Sequence, residues 1–154
     1  MSDPCSAWTA KANKPDISTI DAFKRALLAA KSIGHTDPSG GASSAIYAAK
    51  LLASLDIAAE LKPKIKTTFA TNDDLFEALR KGDVELGFGQ TTEIAATPGV
   101  TFVGPLPASV QNFSVYTAGV VASAKQPDAA KAFVSFLTAP ATVAAMKAKG
   151  IESP

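Results

Sequence analysis

Apolar and polar positions along this chain follow two periods in turn, one helical and one extended. Ser18 stands three residues before Asp21 and just ahead of Ala22, Phe23, Ala26, Leu27 and Ala30, a spacing that predicts a capped amphipathic helix. Ser32 to Thr36 reads as a short buried strand, broken by Asp37-Pro38-Ser39-Gly40-Gly41, after which Ala45 to Leu55 returns to helical spacing. Ile57 to Leu61 predicts at least one helical turn, ended by Pro63, and Ile65 to Ala70 alternates with β-branched residues as a strand does. Asn72 is placed to cap a helix from Asp73 to Arg80, with acids leading, bases trailing and Gly82 where a left-handed stop is needed. Val84 to Gly89 reads as a strand, Thr91 to Ala96 as a short helix, and Val100 to Val103 as a strand ending at Gly104-Pro105-Leu106-Pro107. Phe113 to Ala122 has a long strand pattern, Pro127 opens a helix from Asp128 to Thr138, and Pro140 opens a last helix that stops at Gly150. Strands alternating with helices predict an α/β fold with a mostly parallel sheet, because parallel neighbours need helical crossovers.

Composition narrows the chemistry. With 154 residues, 47% of them hydrophobic and 19% charged, the chain has the make-up of an ordinary globular domain. Fifteen Lys and Arg face 14 Asp and Glu, and no like-charge run suggests a nucleic-acid arm, so any anion must be bound locally. The single cysteine, Cys5, excludes an internal disulfide and reads as an idle thiol near a frayed end. No metal-ligand spacing occurs, and there is neither a Walker loop nor a dinucleotide fingerprint, so no metal and no cofactor is expected. Met1 to Asp16 has no basic stretch followed by an apolar one and nothing near the roughly 20 apolar residues of a membrane span, so the chain as written is expected to stay in the cytoplasm.

Two strand-to-helix turns could carry chemistry. In Thr36-Asp37-Pro38-Ser39-Gly40-Gly41-Ala42-Ser43-Ser44 the free N–H groups of a helix start and several hydroxyls can converge on an anion, and the glycines let it approach the backbone. By spacing alone such a turn is more often only a cap. Gly87-Phe88-Gly89-Gln90-Thr91-Thr92-Glu93 is the second, offering the Gln90 amide and the Thr91 hydroxyl at the same sheet edge. His35, the only histidine, is the one candidate general base in this region, although the plainer reading is favoured, in which strand alternation simply buries its ring. Asp73, Asp74 and Glu77 read as the solvated start of a helix.

Taken in order, Lys14-Pro15-Asp16-Ile17-Ser18, Thr36-Asp37-Pro38 with the following Gly-Gly-Ala-Ser, Gly104-Pro105-Leu106-Pro107 and Phe136-Leu137-Thr138-Ala139-Pro140 resemble the molybdate-binding-like periplasmic solute-binding proteins, a type II periplasmic-binding-protein family. The resemblance implies two α/β lobes closing on a ligand. Residues 1–13 would be a tail or hinge remnant, 14–106 the second lobe, 107–112 the hinge, and 113–154 the C-terminal strand and two helices of an incomplete first lobe whose own beginning is absent. It implies a small anionic ligand, a periplasmic location, and partnership with the permease of an ABC transporter. Thr36, Ser39, Gly41, Ala42, Ser43 and Gln90 would be the ligand contacts. In the molybdate binders the strand end matching Gly89-Gln90 offers a tyrosine hydroxyl, and Gln90 here points to an organic carboxylate as readily as to a metal oxyanion. Some relatives resemble aconitate isomerases, which makes proton transfer on a tricarboxylate the enzymatic alternative. Apolar residues such as Phe133, Phe136, Leu137, Val143 and Met146, lacking first-lobe strands to pack on, predict a homo-oligomer through the C-terminal segment.

Overall fold

The structure, a computed structural model, describes residues 1–9, 13–94 and 97–151. Among the described residues the strands are β1 (Ser2–Thr9), β2 (Ile33–Thr36), β3 (Ile65–Phe69), β4 (Leu86–Gln90), β5 (Thr101–Pro105) and β6 (Phe113–Val115). The α-helices among them are α1 (Ile20–Ala29), α2 (Ser43–Ser54), α3 (Ala58–Leu61), α4 (Asn72–Lys81), α5 (Thr91–Ile94), α6 (Pro127–Leu137) and α7 (Pro140–Lys147). The sheet runs β3-β2-β4-β1-β5, with β6 pairing the far end of β1. The fold is α/β as expected, but the sheet is mixed rather than mostly parallel, because β1 runs against all three of its neighbours. β2 is parallel to β3 and β4, while β1 is antiparallel to β4, β5 and β6.

The start of the chain is where structure and expectation differ most. Residues 3–9 are all buried, and β1 lies between β4 and β5 rather than fraying as a tail. Residues 10–12 of the expected tail lie outside the described residues. Cys5 accordingly sits in the core at 3% exposure, where burial pushes its thiol up to about 12 and makes it a small inert filler. Side chains alternate along β1: Cys5 and Ala7 join Phe23, Leu27, Leu52 and Phe88 on one face, and Trp8 joins Leu75, Phe76 and Leu79 on the other. Phe23 meets Phe88 edge-on at 5.9 Å, and Trp8 meets Phe76 at 5.0 Å. Each such fully buried side chain contributes about 1.5–3 kcal/mol.

Two predicted caps shift by one residue. Thr19, not Ser18, accepts the Ala22 N–H at 3.1 Å, because Ser18 is held by Asp16, which accepts both its N–H and its hydroxyl. Thr71 replaces Asn72 in a capping box closed by Asp74. Gly82 does take the left-handed conformation (φ 80°). The short helix expected to reach Ala96 is seen to Ile94, Ala95 and Ala96 lying outside the described residues. The long strand expected over Phe113 to Ala122 stops at Val115. Its ladder partner is β1, with Ser2 opposite Val115, and the Tyr116 N–H donates to the Met1 carbonyl at 2.8 Å. α6 and α7 contain no buried residue. No single helix among the described residues is long and apolar enough to cross a membrane, although α6 and α7, bent by 55°, would pass that test as a pair.

Candidate functional site

The carboxyl ends of β2, β3 and β4 point to one edge of the sheet, and the antiparallel β1 brings its N-terminal end there too. After β2, the Asp37 carboxylate accepts the Ser39 N–H at 2.8 Å, which holds this exposed carboxyl below its usual range. The Gly40 N–H reaches the Asp37 carbonyl and the Gly41 N–H the Pro38 carbonyl. Three donors of the predicted cradle are thus turned inward. A Cβ added to Gly40 or Gly41 would meet nothing within 4 Å, so Gly41 supplies a left-handed turn (φ 81°) rather than room for a ligand.

The donors left free lie one step on. Ala42 occupies the cap position of α2 and has no side-chain oxygen, so the N–H groups of Ser43, Ser44 and Ala45 have neither a cap nor a partner within the helix. The contrast with α4 is direct. There Thr71 and Asp74 close the capping box, and the carboxylates of Asp73 and Asp74 already complement the helix dipole. Of these two helix starts at this edge, only that of α2 is open to an outside anion.

At the end of β4 the Gln90 backbone N–H donates to Glu93 Oε2 at 2.8 Å, so only the Gln90 side chain faces outward. Asp3, fully buried on β1, accepts from the N–H and hydroxyl of Thr92. Burial pushes the Glu93 carboxyl up, the Gln90 N–H opposes that shift, and the Asp3 charge adds to it. A carboxyl raised in the folded state contributes stability that is present below its unfolded pKa and is lost as pH rises through the folded value. Glu93→Gln keeps an acceptor for Gln90 but cannot ionise. The variant is therefore expected to lose less thermal stability than the unaltered protein as pH rises from the ordinary glutamate range through the raised Glu93 value. Equal losses in the two proteins, followed by circular dichroism, would count against a raised Glu93.

β6 joins the two predicted turns. Ser43 Oγ lies 2.9 Å from Ser114 Oγ, and Gln90 Nε2 donates to the Tyr116 hydroxyl at 3.0 Å. Ser114 and Tyr116 were not predicted as site residues. Their alternation with Phe113 and Val115 is visible in the sequence, but their neighbours depend on β6 pairing with residues more than a hundred positions away. Thr36 is buried at the end of β2, and Ser39, Gly41 and Ala42 are exposed on the turn. His35 is 1% exposed, its Nδ1 lies 2.8 Å from the Thr36 carbonyl oxygen, and its ring lines a groove with Leu52, Ala53, Ala58 and Ile65 beneath α2 and α3. It is not brought to Gln90 or Ser43. No group of three or more His, Cys, Asp or Glu able to hold a metal ion is present among the described residues.

Known proteins of similar sequence and shape can be set against this geometry. Aconitate isomerase from a Pseudomonas species is 29% identical over 142 residues, covering 92% of this chain and 52% of that protein. The substrate-binding domain assigned to a molybdenum ABC transporter of Clostridium difficile superposes with a TM-score of 0.79 at 17% identity, covering 99% of this chain and 64% of that one. The periplasmic molybdate-binding protein of Azotobacter vinelandii gives 0.60 at 20% identity, with coverages of 99% and 66%. The chain thus spans about half the length of the curated relative and about two thirds of these solved structures. The sequence profile described as "Bacterial extracellular solute-binding protein" matches residues 2–152. A match that begins with the central strand β1 and runs past α7 takes in every strand of the sheet and both turns at its edge, and it makes this chain a member of the bacterial extracellular solute-binding proteins.

Proposed function

We propose that this chain binds a small anion, an oxyanion or an organic carboxylate, at the carboxyl edge of its sheet, as part of the solute-binding component of an ABC-type uptake system. The observation that carries the reading is the open start of α2. Three unspent N–H groups at the positive end of a 12-residue helix, flanked by the Ser43 hydroxyl, form an anion receptor that needs no lysine or arginine. Thr36, Ser39, Gly41 and Ala42 shape the approach to it, and Gln90 stands on its far side. In this reading residues 1–106 form one lobe, 107–112 the hinge, and 113–154 a segment returning to a second lobe. The site of action would be the periplasm and the partner a transporter permease.

A second reading is supported by the aconitate isomerase relative, whose identity to this chain exceeds that of either molybdenum-related structure. In that case the same edge would hold a tricarboxylate during proton transfer, and conversion of one aconitate isomer into the other would be measurable. Binding without turnover favours the first reading.

Thermal unfolding with molybdate, tungstate, sulfate, citrate and both aconitate isomers tests the proposal. An anion at a hundred times its Kd adds about 2.7 kcal/mol, which for a chain of this size raises the midpoint by about 5–10 °C. Ser43→Asp places a fixed carboxylate on the α2 start, which suits the helix but repels an anion, so the variant should fold and show no shift. A shift of the same size in Ser43→Asp would remove α2 from the site.

A further inference from the structure

We infer that β6 and the Tyr116 that follows it form a third wall of this site, and that the Tyr116 phenol together with the Gln90 amide forms a fork that selects carboxylates. The inference rests on the reading of this edge as an anion site and adds its ligand class. Residues 114 and 116 project from the same face of the strand, about 7 Å apart along it. One touches Ser43 at the start of α2 and the other touches Gln90 at the end of β4, so a single strand face spans the distance between the two turns. Tyr116 continues the β6 register by donating its N–H to Met1, which fixes the backbone that carries the phenol.

The donor inventory then sets the ligand. Gln90 spends its backbone N–H on Glu93 and one side-chain N–H on the Tyr116 oxygen. The second amide proton and the phenol proton remain, on atoms 3.0 Å apart. The planar amide turns its second proton away from Tyr116, so the two donors diverge and suit the spread oxygens of a polycarboxylate better than the compact oxygens of a tetrahedral oxyanion. Asp3, opposite Ser114 on β1, already accepts from Thr92 and does not compete for these protons. The α2 start would receive a second anionic group of the same molecule, so the fitting ligand is a small di- or tricarboxylate.

Calorimetric titration with citrate, and with molybdate as a tetrahedral comparison, tests this on the intact chain. Tyr116→Phe removes one oxygen from a half-exposed ring and should leave the far-ultraviolet circular dichroism unchanged. Its expected effect is a loss of citrate affinity on the order of tenfold, as for one hydrogen bond to a charged group. Gln90→Ala should lose a similar factor, and the double variant less than the product of the two, because the fork acts as a pair. Unchanged citrate affinity in Tyr116→Phe, with binding abolished by Ser43→Asp, would overturn the fork while leaving the anion site in place. An unaltered protein that binds molybdate more tightly than citrate would overturn it too. Failure of the unaltered protein to bind either anion would remove the site itself and the fork with it.

Discussion

Gly89→Ala is expected to be among the most damaging single-methyl additions to this protein. A Cβ at residue 89 would stand 1.9 Å from Trp8 Cη2, 2.3 Å from Cζ2 and 2.8 Å from Glu93 Oε2. Neither neighbour can easily yield. Trp8 is completely buried, stacked at a tilt on Phe76, and pinned by its Nε1–H, which donates to Ser6 Oγ at 2.8 Å. Glu93 is held by the Gln90 N–H. Overpacking a tight core costs about 1–3 kcal/mol and sometimes more, and a clash with an immobile indole on the central strand belongs at or above the top of that range. Urea unfolding should show a midpoint far below that of the unaltered protein, or no folded baseline. Gly40→Ala, where a Cβ meets nothing within 4 Å, should stay within roughly 0.5 kcal/mol. Similar midpoints for the two variants would mean that Trp8 does not rest on Gly89. The same clash explains the glycine at position 89, which clears the indole, while Phe88 fills the opposite face of the sheet and Gly87 makes room for Leu79.

The second large effect concerns assembly. Phe133 and Phe136, three residues apart on one face of α6, are each 61% exposed, and Val115 and Val121 are 69% exposed. The two phenylalanine rings on one helix face make an exposed apolar pair, and exposed apolar surface of this kind is what an interaction site is built from. The proposed occupant is a second copy of the chain, pairing through its own C-terminal segment. Light scattering should report a dimer or larger species. Phe133→Asp with Phe136→Asp would bury two charges in that interface, a cost of several kcal/mol, and should weaken association by at least about a hundredfold. Both residues are exposed within one chain, so the variant should remain folded. A well-folded monomer of the unaltered protein at high concentration would sink the proposal.

Much of this molecule follows from local rules that act within a few residues. The helices at Ile20, Ser43, Asn72, Pro127 and Pro140 are set by apolar spacing, cap residues and prolines, and Gly82 stops its helix in the left-handed conformation because few other residues adopt it cheaply. The α/β class follows from the alternation of those helices with short strands. Single-residue errors such as Thr19 for Ser18 and Thr71 for Asn72 arise because two adjacent hydroxyl or amide residues compete for one cap, and a neighbour decides which is free. The two turns of the candidate site are legible for the same reason, since glycines, hydroxyls and a helix start lie within one short segment.

What the tertiary structure decided is everything that depends on residues far apart in the chain. Ser2–Thr9 reads as a tail, with Pro4 and Cys5 and no helix beside it, yet it becomes the central strand because three other strands complete its hydrogen bonds and two apolar clusters accept its alternating side chains. β6 stops at Val115 although its β-branched pattern runs on to Ala122, because a ladder needs a partner strand as well as a pattern. That the Ser39, Gly40 and Gly41 N–H groups are spent inside the turn, and not left for a ligand, depends on the acceptors that Asp37 and Pro38 present to them. The meeting of Ser43 with Ser114 and of Gln90 with Tyr116 spans 71 and 26 residues. Sequence periodicity reports which face of an element is apolar, but it holds no information about which distant element will cover that face, and the walls of this site are made at those contacts.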